Sequence, residues 1–228
     1  MIIKDSLNND ELIEAIYAAA KEYSNLQDKD YLIIAKNTKS EFFWFTCHFK
    51  PKNFMHLLGI DSKTYNATDF YGKCIEHFED PEVKITLNDC TPSRKHSRKD
   101  VNQKCSCCSE ILKIKEAKYL KTGIKDKISQ HVDFQYAYGK EATLGFKMEK
   151  RDKNGICFPI SLLPKTIENF STKTYKIIFV LSKEFGKTQY DYLEMEIKQN
   201  LLCELYEQMP EELKHIIDSA LVRCKQNE

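Results

Sequence analysis

The chain has 228 residues, with 35 basic side chains against 34 acidic ones and a net charge of +1. That balance excludes a global basic field for nucleic acid and leaves only local patches to do such work. The length suits one large domain or two small ones with a real core, and 42% apolar residues exclude overall disorder.

Residues 8–24 read as an amphipathic helix that Asp10 can cap, with Leu12, Ile13, Ile16 and Tyr17 at helical spacing. Residues 31–36 and 41–49 read as two strands of a hairpin turned by 37–40. Pro51 closes it, and 52–58 form a short helix that Gly59 ends. A further helix spans 68–78, and 102–120 read as helical, with Cys105, Cys108 and Leu112 on one stripe and Cys107 facing away. Then comes a strand-rich half with 132–138, 141–149, 155–160, 174–183 and 189–198. The segment Lys150-Arg151-Asp152-Lys153-Asn154-Gly155 is a hairpin turn. Residues 200–224 close the chain as one or two helices broken near Pro210. Helices first, then an antiparallel sheet, with one early hairpin, is an α+β arrangement.

The nine cysteines are an odd number, and the start, Met1-Ile2-Ile3-Lys4-Asp5, turns polar at once. No apolar run has the length of a membrane span. We therefore expect reduced thiols and a cytoplasmic protein without a membrane partner. Cys90, His96, Cys105, Cys107 and Cys108 together offer a zinc set, although the adjacent pair and Cys-x-Cys spacing would strain a tetrahedron. Partly buried thiols are the other reading.

Single residues leave alternatives open. His56, on the helix after the hairpin, is either a structural histidine or a proton-transfer group near neutral pH. Lys73 is a helix-surface lysine or a phosphate holder. Ser161, after Pro159, donates to a phosphate oxygen or caps a short helix beginning at Leu162. Thr143 begins the strand Thr143-Leu144-Gly145-Phe146, with a similar dual reading. Lys183 reaches toward a groove or guards a strand end, and Tyr190 is a stacking or proton-transfer candidate. Residues 91–104 are strongly basic, with Arg94, Lys95, Arg98 and Lys104, and are either a phosphate contact or a solvated loop.

Taken in order, Asn53-Phe54-Met55-His56-Leu57-Leu58-Gly59-Ile60, the Phe70–Cys74 helix, Thr143–Phe146 and Pro159-Ile160-Ser161-Leu162-Leu163 resemble one family. It is the phage-associated branch of the Barnase–EndoU–colicin–RelE-like (BECR) nucleases, fourth class. The resemblance covers most of residues 30–198, within a single domain of 1–228 that carries a basic, cysteine-bearing segment at 90–120 and a helical extension at 200–228. It implies an α+β fold and a metal-independent, cofactor-free endoribonuclease or toxin-like effector of a phage or mobile element. RNA would be its substrate and a 2′,3′-cyclic phosphate its product. On this resemblance His56 is the acid or base, Lys73 and Lys183 hold the phosphate charge and Ser161 donates to it. From the residue readings above, Lys104, Arg94, Lys95, Arg98, Thr143 and Tyr190 would contact the nucleic acid. The approach to the central helix, Lys99–Lys104, lacks the glycine expected there.

Two other functions fit the same residues. One is a non-catalytic inhibitor of a host defence machine, with a protein interface built on Phe42-Phe43-Trp44-Phe45 and the cysteine-rich segment; an antitoxin is a further protein partner to expect. The other is a nucleic-acid-binding module that uses residues 91–104.

Overall fold

The computed structural model describes residues 2–127, 133–148 and 155–222. In chain order these form α1 (Asn9–Ser24), β1 (Lys29–Lys36), β2 (Phe42–His48), α2 (Pro51–Leu58), β3 (Ile60–Asp61), α3 (Ala67–Glu79), β4 (Thr91–Pro92) and α4 (Arg98–Leu112). There follow β5 (Lys121–Ile124), β6 (Tyr136–Gly139), β7 (Thr143–Met148), β8 (Cys157–Leu163), β9 (Thr174–Glu184), β10 (Tyr192–Leu193), α5 (Gln199–Glu207) and α6 (Glu211–Lys214). This is the α+β class the sequence predicts.

Helix starts follow their local chemistry. Asn8, not Asp10, caps α1: its side chain accepts from the Glu11 backbone N–H, and the Glu11 carboxylate accepts from the Asn8 N–H. Asn66 caps α3, and Ser97 with Asp100 forms the same reciprocal box at the start of α4. The helix expected over 102–120 ends at Leu112 and continues as 3-10 turns over 114–119.

β1 sits at the centre. It pairs antiparallel with β2 on one edge and with β9 on the other, so that Ile33 faces both Phe45 and Val180. The remaining strands run in the order β2-β8-β7-β6-β5-β9, which returns the sheet to β1, and β10 adds a short outer pairing to β9. The early hairpin thus belongs to the main sheet rather than standing apart. The β2–β8 contact, through Cys47 and Cys157, is parallel, so the sheet is mixed rather than wholly antiparallel.

Both faces of β1 are covered. Tyr31, Ile33 and Ala35 join the core shared with α1 to α4, whereas Leu32 and Ile34 join a second core with Phe179, Leu202, Leu213 and Ile217. Period-two alternation makes one strand serve two layers. The aromatic run of β2 divides the same way: Phe43 and Phe45 belong to the first core, and Phe42 and Trp44 pack against the second. Phe43 and Phe45 are interior packing, whereas Phe42 and Trp44 stay half-buried.

Several sequence expectations change. The strand expected over 189–198 is only Tyr192–Leu193. Tyr190 is drawn instead to the C-terminal segment, where its N–H donates to Ile216 O, and Glu194 turns in to accept from Ser182 Oγ and Lys29 Nζ. The segment 159–163 is neither a turn nor a helix start; all of it lies within β8. β5 was not anticipated, being four residues long and without clear alternation. The hairpin turn expected at 150–155 falls outside the described residues except for Gly155.

Leu32 is fully buried on the strand that both layers share. Leu32→Ala is expected to lower unfolding stability by about 3 kcal/mol, read as a shift of the urea midpoint at unchanged slope.

Candidate functional site

A cleft of about 830 Å³ opens between α2, the loop leading into α4, and β8. α2 contributes a stripe of one helical face: Lys52, Asn53 and His56 line the cleft, and Gly59 follows on the same side. Phe54, Leu57 and Leu58 turn the other way into the core, which leaves the His56 ring exposed. Asn53 is buried, and among the described residues its Oδ1 has no hydrogen-bond partner.

The second wall is stitched to the first. β3 pairs with β4, Thr91 Oγ1 donates to Asp61 O, and the Ser93 N–H donates to Gly59 O at 3.0 Å. This brings Ser93, Arg94, Lys95 and His96 against the end of α2. Gly59 has φ +70°, and a Cβ there would meet His96 Cδ2 at 2.9 Å and Lys104 Cδ at 3.2 Å. Glycine is therefore needed twice, for the left-handed turn and for the closeness of those two side chains.

The third wall comes from a bulge. Across β7 and β8, Gly145 faces Ser161 and Phe146 faces Pro159, so Ile160 is the extra residue. One inserted residue lets neighbours share a face. Phe158, Ile160, Ser161 and Leu163 all line the cleft, while Cys157 and Leu162 point into the core.

Lys104 enters the cleft from beneath. It is 4% exposed, on the same stripe of α4 as Val101, Cys108 and Ile111. Its Nζ lies 2.5 Å from His96 Nε2, and His96 Nδ1 lies 2.9 Å from Ser93 Oγ. Burial pushes the Lys104 ammonium down to about 8. Burial, followed by the neighbouring Lys104 charge, also lowers His96 below the usual imidazole range. The cleft carries four basic side chains, Lys52, Arg94, Lys95 and Lys104, against the carboxylates Asp61 and Asp133. Asp133 is paired with Lys147.

Of the residues expected to act, His56, Ser161, Arg94, Lys95 and Lys104 come together here. Others do not line this cleft. Lys73 pairs with Glu76 one turn away on the outer face of α3. Lys183 donates to Lys187 O and lies over the Tyr190 ring, 4.9 Å from its centroid. Tyr190 is buried in the second core. Thr143 is fully buried and donates to Lys165 O. Arg98 lies in the first turn of α4, outside the lining.

The cysteine segment is core. Cys105, Cys107 and Cys108 are all buried, so Cys107 does not face away as the helical stripe suggests. α4 is covered on a further side by the N-terminal segment, where the Lys4 N–H donates to Ser106 Oγ and Gln103 donates to Asp5. Burial pushes the Cys90 and Cys107 thiols up to about 12. Both His96 nitrogens are already engaged, and among the described residues no three His, Cys, Asp or Glu side chains are placed to hold a metal ion. Cys203 departs from the expectation of reduced thiols, being disulfide-bonded. Among the described residues, no helix is long and apolar enough to cross a membrane.

Sequence reading missed Ser93 and Asn53, and weighed His96 only as a zinc ligand. A signal for Lys104 was present: it is a lysine on the apolar stripe of its own helix.

The family model described as phage-Barnase-EndoU-ColicinE5/D-RelE like nuclease 4 matches residues 15–199. No curated protein and no solved structure gives a significant match to the chain.

An ammonium buried without a carboxylate partner costs stability. Lys104→Met, which keeps the stem volume, is expected to raise stability by about 2 kcal/mol at neutral pH, measured by urea unfolding. Sign follows from linkage: the unfolded lysine binds its proton more tightly, so the native state is penalised below about pH 8 and relieved above it.

Proposed function

Because the chain belongs to the fourth class of phage Barnase–EndoU–colicin E5/D–RelE-like nucleases, we propose that this cleft cleaves RNA without a metal ion. The observation that carries the reading is the convergence of an exposed imidazole, His56, with Arg94, Lys95, Lys104 and Ser161 from segments far apart in sequence. RNA supplies its own nucleophile, the 2′-hydroxyl. His56 exchanges a proton with the reacting oxygens, which an imidazole does well near neutral pH. Arg94 and Lys95 on the cleft rim hold the phosphate and offset the charge that builds on the phosphorane, and Ser161 donates to a phosphate oxygen. The product is a 2′,3′-cyclic phosphate.

Lys73 and Lys183, expected to hold the phosphate, give way in this reading to Arg94 and Lys95. The apolar wall of Phe158, Ile160 and Leu163 offers a nucleobase a face to lie against, which suits an unpaired strand.

Incubating the protein with RNA in excess chelator should yield cyclic-phosphate ends. His56→Ala should lower the rate by about 10²-fold or more with the fold intact. Intact RNA across a wide range of enzyme, with correctly folded protein, would refute the catalytic reading. Arg94→Ala combined with Lys95→Ala should weaken RNA binding and flatten its dependence on salt, because fewer counterions are released.

A further inference from the structure

Lys104 is a buried cation held by an imidazole. Among the described residues its Nζ has His96 Nε2 as hydrogen-bond partner, at 2.5 Å, and no carboxylate pairs with it. A histidine is a poor counterion, since it carries no negative charge to offset the ammonium. The line continues outward: His96 Nδ1 is 2.9 Å from Ser93 Oγ, and Ser93 is half-buried in the lining of the cleft. The backbone fixes each joint. The Ser93 N–H donates to Gly59 O, the His96 N–H donates to Ser93 O at 2.9 Å, and the bare Gly59 Cα leaves room for the ring and the lysine stem together. A chain of hydrogen bonds therefore runs from the buried ammonium to the cleft surface.

Its direction follows from donor and acceptor capacity. A protonated Lys104 can only donate, so His96 Nε2 must accept. The ring hydrogen then sits on Nδ1 and is donated to Ser93 Oγ. That leaves the serine hydroxyl hydrogen free for the cleft. The charged and titratable neighbours are Asp100, Asp61 and Lys95 around His96, and Asp100 with the protonated Cys105, Cys107 and Cys108 thiols around Lys104. Asp100 is itself held by Ser97 at the start of α4, through both its backbone N–H and its hydroxyl.

We propose that Ser93, His96 and Lys104 form a proton relay that delivers a proton to the leaving oxygen, opposite in role to His56. The proposal rests on the nuclease reading above. In the step, His56 removes the 2′-hydroxyl proton and that oxygen bonds to phosphorus. The bond from phosphorus to the 5′-oxygen breaks, and its electron pair stays on that oxygen. The 5′-oxygen takes the Ser93 hydroxyl proton, Ser93 takes the Nδ1 proton of His96, and His96 Nε2 takes a proton from Lys104. Lys104 ends neutral and His96 ends as the other neutral tautomer; His56 then gives its proton to water, and a proton from water enters at Ser93 and passes back through His96 to Lys104, which restores all three groups. Ser93 is the group that touches substrate; His96 and Lys104 act through it.

Two measurements test the relay. The first needs no substrate: nitrogen NMR of the histidine rings should find His96 neutral at pH 7 with its hydrogen on Nδ1. A hydrogen on Nε2 reverses the direction of the chain and overturns the proposal. The second is the pH dependence of cleavage of a defined single-stranded RNA. The wild-type rate should fall above about pH 8, as Lys104 loses its proton. Ser93→Ala should lose about 10²-fold in kcat with little change in KM, and should lose that alkaline limb, while Ser93→Thr recovers most of the rate. His96→Gln should match Ser93→Ala. Ser93 lies on a loop, and circular dichroism with thermal melting checks that its variants fold. Full activity and an unchanged alkaline limb in Ser93→Ala would overturn the relay and leave the nuclease reading standing. Wild-type protein that cleaves no RNA would overturn the nuclease reading itself, and the relay's delivery step with it.

Discussion

The fold depends on β1 being enclosed on every side. Both of its edges are hydrogen-bonded, to β2 and to β9, and both of its faces are covered. A one-residue slip would exchange Tyr31, Ile33 and Ala35 with Leu32 and Ile34 and mismatch two cores at once. Once that register is set, the layers take separate duties. The α1–α4 layer, with β8, builds the cleft, and the C-terminal helices close the opposite face. Phe179 and Leu181 of β9 belong to the second core, and Lys183 continues their alternation. That is why Lys183 and Tyr190 meet each other rather than the imidazole of His56.

Much of this architecture is legible in the residues, and the reasons for the remainder are particular. α1, α3 and the β1–β2 hairpin are local objects, written in caps, periodicity and turn residues. The exposure of His56 is also local, because Phe54, Leu57 and Leu58 claim the core face of α2. The bulge at Ile160 is not local. It exists only against Gly145 and Phe146 on another strand, so Ser161 reads as a cap when it is a strand residue that lines the cleft. Lys73 and Lys183 are ordinary lysines in sequence, and only tertiary placement separates them from Arg94 and Lys95. The short β10 shows the same limit: an apparently regular strand was diverted by long-range bonds from Tyr190 and Glu194.

The cleft holds polar groups that are buried at a cost. Among the described residues, its floor holds an ammonium in no carboxylate ion pair, and its wall holds Asn53 with an unpaired Oδ1. Outside it, Ser182 donates to Glu194 and Thr122 to Ala137 O, while among the described residues Gln27 Nε2 and Asn102 Oδ1 find no partner. Local departures of this kind concentrate where a protein does chemistry, because a group that is fully satisfied has little left to offer a ligand. The near-zero net charge points the same way. Residues 91–104 carry five basic side chains against one acid, a local excess larger than the net charge of the whole chain.

The seven free cysteines among the described residues have a consequence outside the cleft. All are buried, and burial raises the thiols of Cys47, Cys74, Cys90, Cys105, Cys107 and Cys108 far above neutral pH. Only a thiolate attacks an alkylating reagent or a disulfide at useful speed. In the native protein these sulfurs are shielded twice, by closed packing and by a held proton. Their modification must wait for the chain to open, and the rate at which each one reacts becomes a residue-by-residue clock of that opening.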